Sequence, residues 1–173
     1  MTDGTDGRGI DEADFEAWFR REYPKVLGSL VLALGSREVA EEATAEAFAR
    51  AYERWSRVRA LVRPGGWVYT VALNEAKRKL RRRAMERSLL LKFHLELEVP
   101  PETGFELWDL VRTLPPRERT AVVLRYVGDL PEAEVAKVMG ISAGGVAKML
   151  NVARSRIDSN LDAIPDIRRG ARD

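Results

Sequence analysis

Apolar residues recur at helical spacing along most of the chain, and the runs break at glycine and proline. Phe15, Phe19, Val26 and Leu30 fall near one stripe, with Trp18, Tyr23 and Leu27 beside it. This predicts an amphipathic helix from about Asp11 to Leu34, kinked at Pro24. Gly35-Ser36 marks a break, and Ser36 is placed to cap a second helix with Val39 as its first apolar anchor. That helix carries Val39, Ala43, Ala47, Phe48, Ala51, Tyr52 and Trp55. A third is predicted from Pro64, a residue tolerated in a first turn, and carries Trp67, Val68, Val71, Ala72, Ala76 and Leu80. Three helices with this much aromatic surface can bury a core.

The pattern changes after Glu86. SLLLKFHLELEVPPETG is mixed and ends in Pro100-Pro101 and Gly104, so residues 87–104 read as a linker with a short helical start. Its leucines make it too apolar for a freely solvated tether. Helical spacing resumes with Leu107, Leu110, Val111 and Leu114, and Pro116 opens a helix through Val127 that Gly128-Asp129 ends. Pro131 then starts a short helix with Val135, Ala136, Val138 and Met139 inward. Gly140 supplies a turn, where positive φ is cheap, and Ser142 caps the next helix. Val146, Leu150, Ala153 and Ile157 form its core stripe. The fold expected is all-α: a disordered stretch 1–10, a helical domain 11–86, the linker, a helix-turn-helix domain 105–160 and a flexible tail 161–173.

Composition changes this picture little. The N-terminal MTDGTDGRGIDEADF has no apolar core, so it is not a secretory signal. No run is apolar enough for a membrane span. The absence of cysteine excludes disulfides and thiolate metal sites and fits a cytoplasmic protein. His94, in the linker, has no cysteine to help it hold a metal. The acidic residues form no dyad, so no catalytic residue, metal or cofactor is expected.

Charge distribution says more than the net charge of +2: residues 77–83 read KRKLRRR, and residues 38–46 read EVAEEATAE. An acidic and a basic block on one small protein suggest separate protein and polyanion contacts. Asn74, Lys77, Arg78 and Arg81 lie at i, i+3, i+4 and i+7, on a face away from Val68, Val71, Ala72 and Ala76. Such a stripe can track the phosphates of one strand. Trp67 and Tyr69 at the start of that helix fit either base stacking or a structural role, core for Trp67 and plain surface for Tyr69.

In the helix-turn-helix, the inward stripe leaves Gly144, Gly145, Lys148, Asn151, Val152 and Ser155 outside. A recognition helix needs its N-terminal half close to base edges, and small residues permit that. Lys148 can donate to guanine and Asn151 can pair with adenine, while Arg154 and Arg156 better suit phosphates.

Three segments carry a resemblance to the extracytoplasmic-function group of bacterial sigma factors: residues 37–55, REVAEEATAEAFARAYERW; residues 66–83, GWVYTVALNEAKRKLRRR; and residues 114–157. In the first, Glu42 stands where the family usually has aspartate, Ala45 replaces a common glutamine, and Glu46 and Phe48 match. In the second, Trp67, Asn74, Arg81 and Arg82 keep the pattern, while Arg78 stands where aspartate is common. In the third, Leu114, Pro115, Arg119, Leu130, Gly140, Ser142, Gly144 and Val146 match. Gly145, Ala147 and Val152 there replace a threonine, a lysine and an arginine.

The resemblance implies a promoter-specificity subunit of RNA polymerase rather than an enzyme. It puts Glu42, Glu46 and Arg50 on the polymerase clamp. It puts Tyr69, Asn74, Lys77, Arg78, Arg81 and Arg82 at minus-ten promoter DNA. It puts Ser142, Gly144, Lys148, Asn151 and Arg154 at the minus-thirty-five element. It also makes an anti-sigma protein a candidate partner. Two other readings stay open: a stand-alone helix-turn-helix regulator, and a sigma-like protein whose upstream recognition has degenerated.

Overall fold

The computed structural model describes residues 6–90 and 106–162, with side chains described from 12 to 85 and from 108 to 160. These residues are all-helical, and two helical units flank the linker. The first holds α1 (Asp6–Leu34), α2 (Arg37–Glu53), α3 (Trp55–Val58) and α4 (Pro64–Leu90). The second holds α5 (Glu106–Thr113), α6 (Pro116–Tyr126), α7 (Glu132–Met139) and α8 (Ala143–Asp162).

Several boundaries differ from expectation. Helix α1 starts at Asp6, inside the stretch read as disordered, and runs through Pro24. Asp6, Asp11 and Glu12 favour a helix N-terminus, and adding turns to an existing helix needs no new nucleus. For the same reason α4 continues to Leu90, past the domain boundary at residue 86. Helix α2 stops at Glu53, and Trp55 opens a separate turn, α3, that the apolar pattern had merged with it. The expected linker beyond Leu90, with His94, and the tail beyond Asp162 lie outside the described residues.

Two kinds of packing build the first unit. Ala40, Ala43 and Ala47 on α2, and Ala72 and Ala76 on α4, are fully buried, and α2 packs extensively on α4. Small side chains let these backbones come close. Helix α1 is held instead through rings: Trp18 lies 4.8 Å from Trp55 and 5.2 Å from Phe48 between centroids, and Phe15 meets Trp55 edge-on at 5.2 Å. Each such pair adds about 0.5–1.5 kcal/mol beyond its buried area. Ser36 caps α2 as expected, its Oγ accepting from Val39 N–H at 3.4 Å.

In the second unit α8 lies across α6 and α7. Val146, Leu150 and Ala153 are buried, as the stripe requires, and Ile157 is half-buried. The turn before α8 is closed by Ile141 N–H on the Ala136 carbonyl at 3.0 Å and Gly140 N–H on Lys137 at 3.2 Å, a Schellman arrangement. Gly140 takes φ +67°, a conformation that suits glycine. At the earlier turn Asp129 takes positive φ (51°), not Gly128, consistent with the tolerance of aspartate for that region.

Candidate nucleic-acid interface

The acidic and basic blocks meet each other. Arg83 donates to Glu38 at 2.8 and 3.2 Å, and Lys79 donates to Glu42. Four residues forward on α2 answer to four residues back on α4, so the helices run antiparallel with their turns in register. Glu38, Glu42, Glu46 and Arg50 form one i, i+4 row along this seam. The Lys79 hydrogen bond and charge hold the Glu42 carboxyl below its ordinary range. Further along, Arg50 donates to Glu46 at 2.8 Å and to Glu75 at 2.7 Å, and Arg78 donates to Glu75 at 2.6 Å. The reading of two blocks serving wholly separate contacts is therefore corrected: Lys79 and Arg83 serve as counter-ions of α2.

What remains of KRKLRRR faces elsewhere. Asn74, Lys77, Arg81 and Arg82 are exposed, and the three cations engage no acidic partner among the described residues. Like charges this close repel unless neutralised, and these have no neutraliser among the described residues. Arg78, expected on the same stripe, is exposed but leans onto Glu75.

Tyr69 is not on the stripe. It is 3 % exposed, and its hydroxyl lies 2.9 Å from Ser29 Oγ and 3.4 Å from the Lys25 carbonyl. Its expected place at DNA is corrected: the ring fills the core and its polar tip is satisfied there. Trp67, read as core, is half-buried. Glu75, nearly fully buried, was missed; its only sequence signal is its spacing of three from Arg78.

On α8, Gly144, Lys148, Asn151, Val152 and Ser155 are exposed and Gly145 is half-buried. Ser142 Oγ accepts from Gly145 N–H at 3.1 Å, so its oxygen caps the helix. Arg154 donates to the Tyr126 hydroxyl at 3.2 Å, and Arg156 pairs with Glu118 at 3.1 Å. Of the expected readers, Lys148 and Asn151 are exposed, and their side chains make no hydrogen bond or ion pair within the described residues. No described group of acidic or histidine residues could hold a metal, and no described helix is long and apolar enough to cross a membrane.

The sequence matches the family models for sigma-70 region 2 over residues 18–85 and sigma-70 region 4 over residues 104–157. It is 26% identical over 161 residues to the RNA polymerase sigma-E factor of Streptomyces coelicolor, covering 87% of each chain. It is 24% identical to the sigma-E factor of Streptomyces avermitilis, covering 87% of this chain and 86% of that one. Among solved structures it resembles the sigma factor RpoE of Bartonella quintana, in complex with the anti-sigma factor NepR. That match has a TM-score of 0.73 and 17% identity, over 86% of this chain and 97% of that one. The region 2 match spans the seam and the basic stripe, and the region 4 match spans the helix-turn-helix. The chain belongs to the sigma-70 family of sigma factors, in its extracytoplasmic-function group.

Proposed function

We propose that this sigma factor directs core polymerase to promoters by reading the minus-ten element with its first unit and the minus-thirty-five element with its second. Membership of the family carries the coarser statement, that the protein binds core polymerase and promoter DNA and is not an enzyme. The assignment of elements rests on one observation above all: the exposed stripe Asn74, Lys77, Arg81 and Arg82, whose cations have no acidic partners among the described residues.

The division of labour follows from the chemistry of each surface. The α2 row Glu42, Glu46 and Arg50 is assigned to the polymerase clamp by the family likeness of this helix; Lys79 and Arg50 partner its carboxylates within the fold but leave them half-exposed, so a basic protein surface can share them. The α4 stripe holds backbone phosphates, and the loop before it, RALVR at residues 59–63, receives bases flipped from the non-template strand. Flipping costs a few kcal/mol, which phosphate contacts help to offset. On α8, Lys148 and Asn151 reach base edges past the glycines, while Arg154 holds phosphate. The Bartonella structure contains an anti-sigma factor. A regulator of that class is the proposed inhibitory partner here.

The test is the salt dependence of holoenzyme binding to promoter DNA. Arg81→Ala with Arg82→Ala should lower the log–log slope by about 1.8, two phosphate contacts at about 0.9 each. An unchanged slope in a folded protein removes the stripe from the DNA.

A further inference from the structure

Glu75 is the one charged side chain that is buried among the described residues, at 6 % exposure. Its two oxygens serve different helices. Arg50 of α2 donates Nη2 to Oε1 at 2.7 Å. Arg78, one turn along α4, donates Nη2 and Nε to Oε2 at 2.6 and 3.0 Å. Burial pushes this carboxyl up, but the Arg78 hydrogen bonds and the charges of Arg50 and Arg78 outweigh it and hold it below its ordinary range. It is therefore an anion at neutral pH.

A guanidinium donating two N–H groups to a carboxylate is already neutralised. A DNA phosphate could reach only the three N–H groups that Glu75 leaves free, on a guanidinium whose charge is already balanced, and drawing Arg78 away would cost a buried carboxylate one of its partners. A guanidinium that stays paired with Glu75 brings little net positive charge to the DNA and so displaces few of its condensed cations. We propose that Glu75 is a positioning residue that withholds Arg78 from the phosphate stripe and ties it instead, through Arg50, to α2. The stripe then grips DNA through Lys77, Arg81 and Arg82. This inference rests on the assignment of that stripe to DNA.

The experiment uses the full chain and a fluorescein-labelled duplex, titrated between about 50 and 200 mM salt. Arg81→Ala should flatten the log–log slope by about 0.9, whereas Arg78→Ala should leave it at the parent value. Glu75→Gln should steepen it by about 0.9, a change of roughly threefold in relative affinity across that range, and adding Arg78→Ala should restore the parent slope. Glu53→Gln changes net charge equally at an exposed site that holds no cation among the described residues, and should leave the slope alone. If Arg78→Ala flattens the parent slope as much as Arg81→Ala, the inference is overturned, with no change at Glu75 required. Equal effects of Glu75→Gln and Glu53→Gln overturn it too. If neither Arg81→Ala nor Arg82→Ala changes the slope, the DNA assignment has failed first and takes the inference with it.

Discussion

Ser29 Oγ and Tyr69 OH lie 2.9 Å apart inside the first unit, joining α1 to α4 by a buried pair of hydroxyls. Burial raises the Tyr69 phenol to about 12, although the Ser29 hydrogen bond works the other way. An unfolded tyrosine ionises near 10, so above that pH the unfolded chain sheds a proton that the folded one keeps. The contribution is full below pH ~10 and is lost as pH rises towards ~12, by roughly 3 kcal/mol at most. Denaturant melts of the parent and Tyr69→Phe across this range should show a parent advantage that shrinks with pH and then reverses, because phenylalanine does not titrate. Parallel curves would place the phenol in contact with solvent. Below pH ~9 the Phe variant should lose only about 1 kcal/mol, the net worth of a buried hydrogen bond.

The two glycines that open α8 should respond differently to alanine. A Cβ at Gly144 meets nothing within 4 Å, so Gly144→Ala should stabilise by up to about 1 kcal/mol through helix propensity. A Cβ at Gly145 meets Ser142 Oγ at 3.2 Å, the atom that caps the helix. Gly145→Ala should thus gain less than Gly144→Ala, or lose stability. Thermal melts of both beside Ser142→Ala, which should cost about 1 kcal/mol, test the cap. Equal gains at both positions would mean that the serine can move aside freely.

Base reading by α8 should be narrow. Lys148→Ala and Asn151→Ala should each relax preference at one or two upstream base pairs, on the scale of about 1–3 kcal/mol per good bidentate contact. Arg154→Ala should weaken binding about equally on all sequences. Start-site selection over a library randomised only in the upstream element separates these outcomes. A flat response by the parent protein would favour degenerate upstream recognition.

The alanine seam should tolerate no added bulk. Ala47→Leu should cost about 1–3 kcal/mol by overpacking. It should also weaken core binding, because the row beside it would shift. A leucine variant with parent stability and parent core affinity would show that α2 and α4 have room between them.

The fold was legible wherever a residue's role is local. Ser36, Gly140, Ser142 and Pro116 cap, turn and start helices by backbone chemistry that neighbours in sequence decide. The stripe Val146, Leu150, Ala153 is likewise a matter of periodicity. What escaped depends on residues far apart. Tyr69 read as either a stacking ring or plain surface, and periodicity could not reveal Ser29, forty positions away, as the partner of its hydroxyl. The pairing of Glu38 with Arg83 and Glu42 with Lys79 needs the antiparallel register of two helices, which neither charge block encodes by itself. Glu75 escaped notice because one of its two partners, Arg50, lies on the other helix.

The buried alanines between α2 and α4 also act as a caliper. Methyl groups have no rotamers, so the gap between these helices cannot breathe by side chains swinging between staggered wells, as a leucine-filled gap could. On the proposed reading, one jaw rests on polymerase and the other on the promoter. The distance from enzyme surface to DNA strand is then gauged by the radius of a methyl group, and thermal softness has to be found in the loops at either end rather than in the span between them.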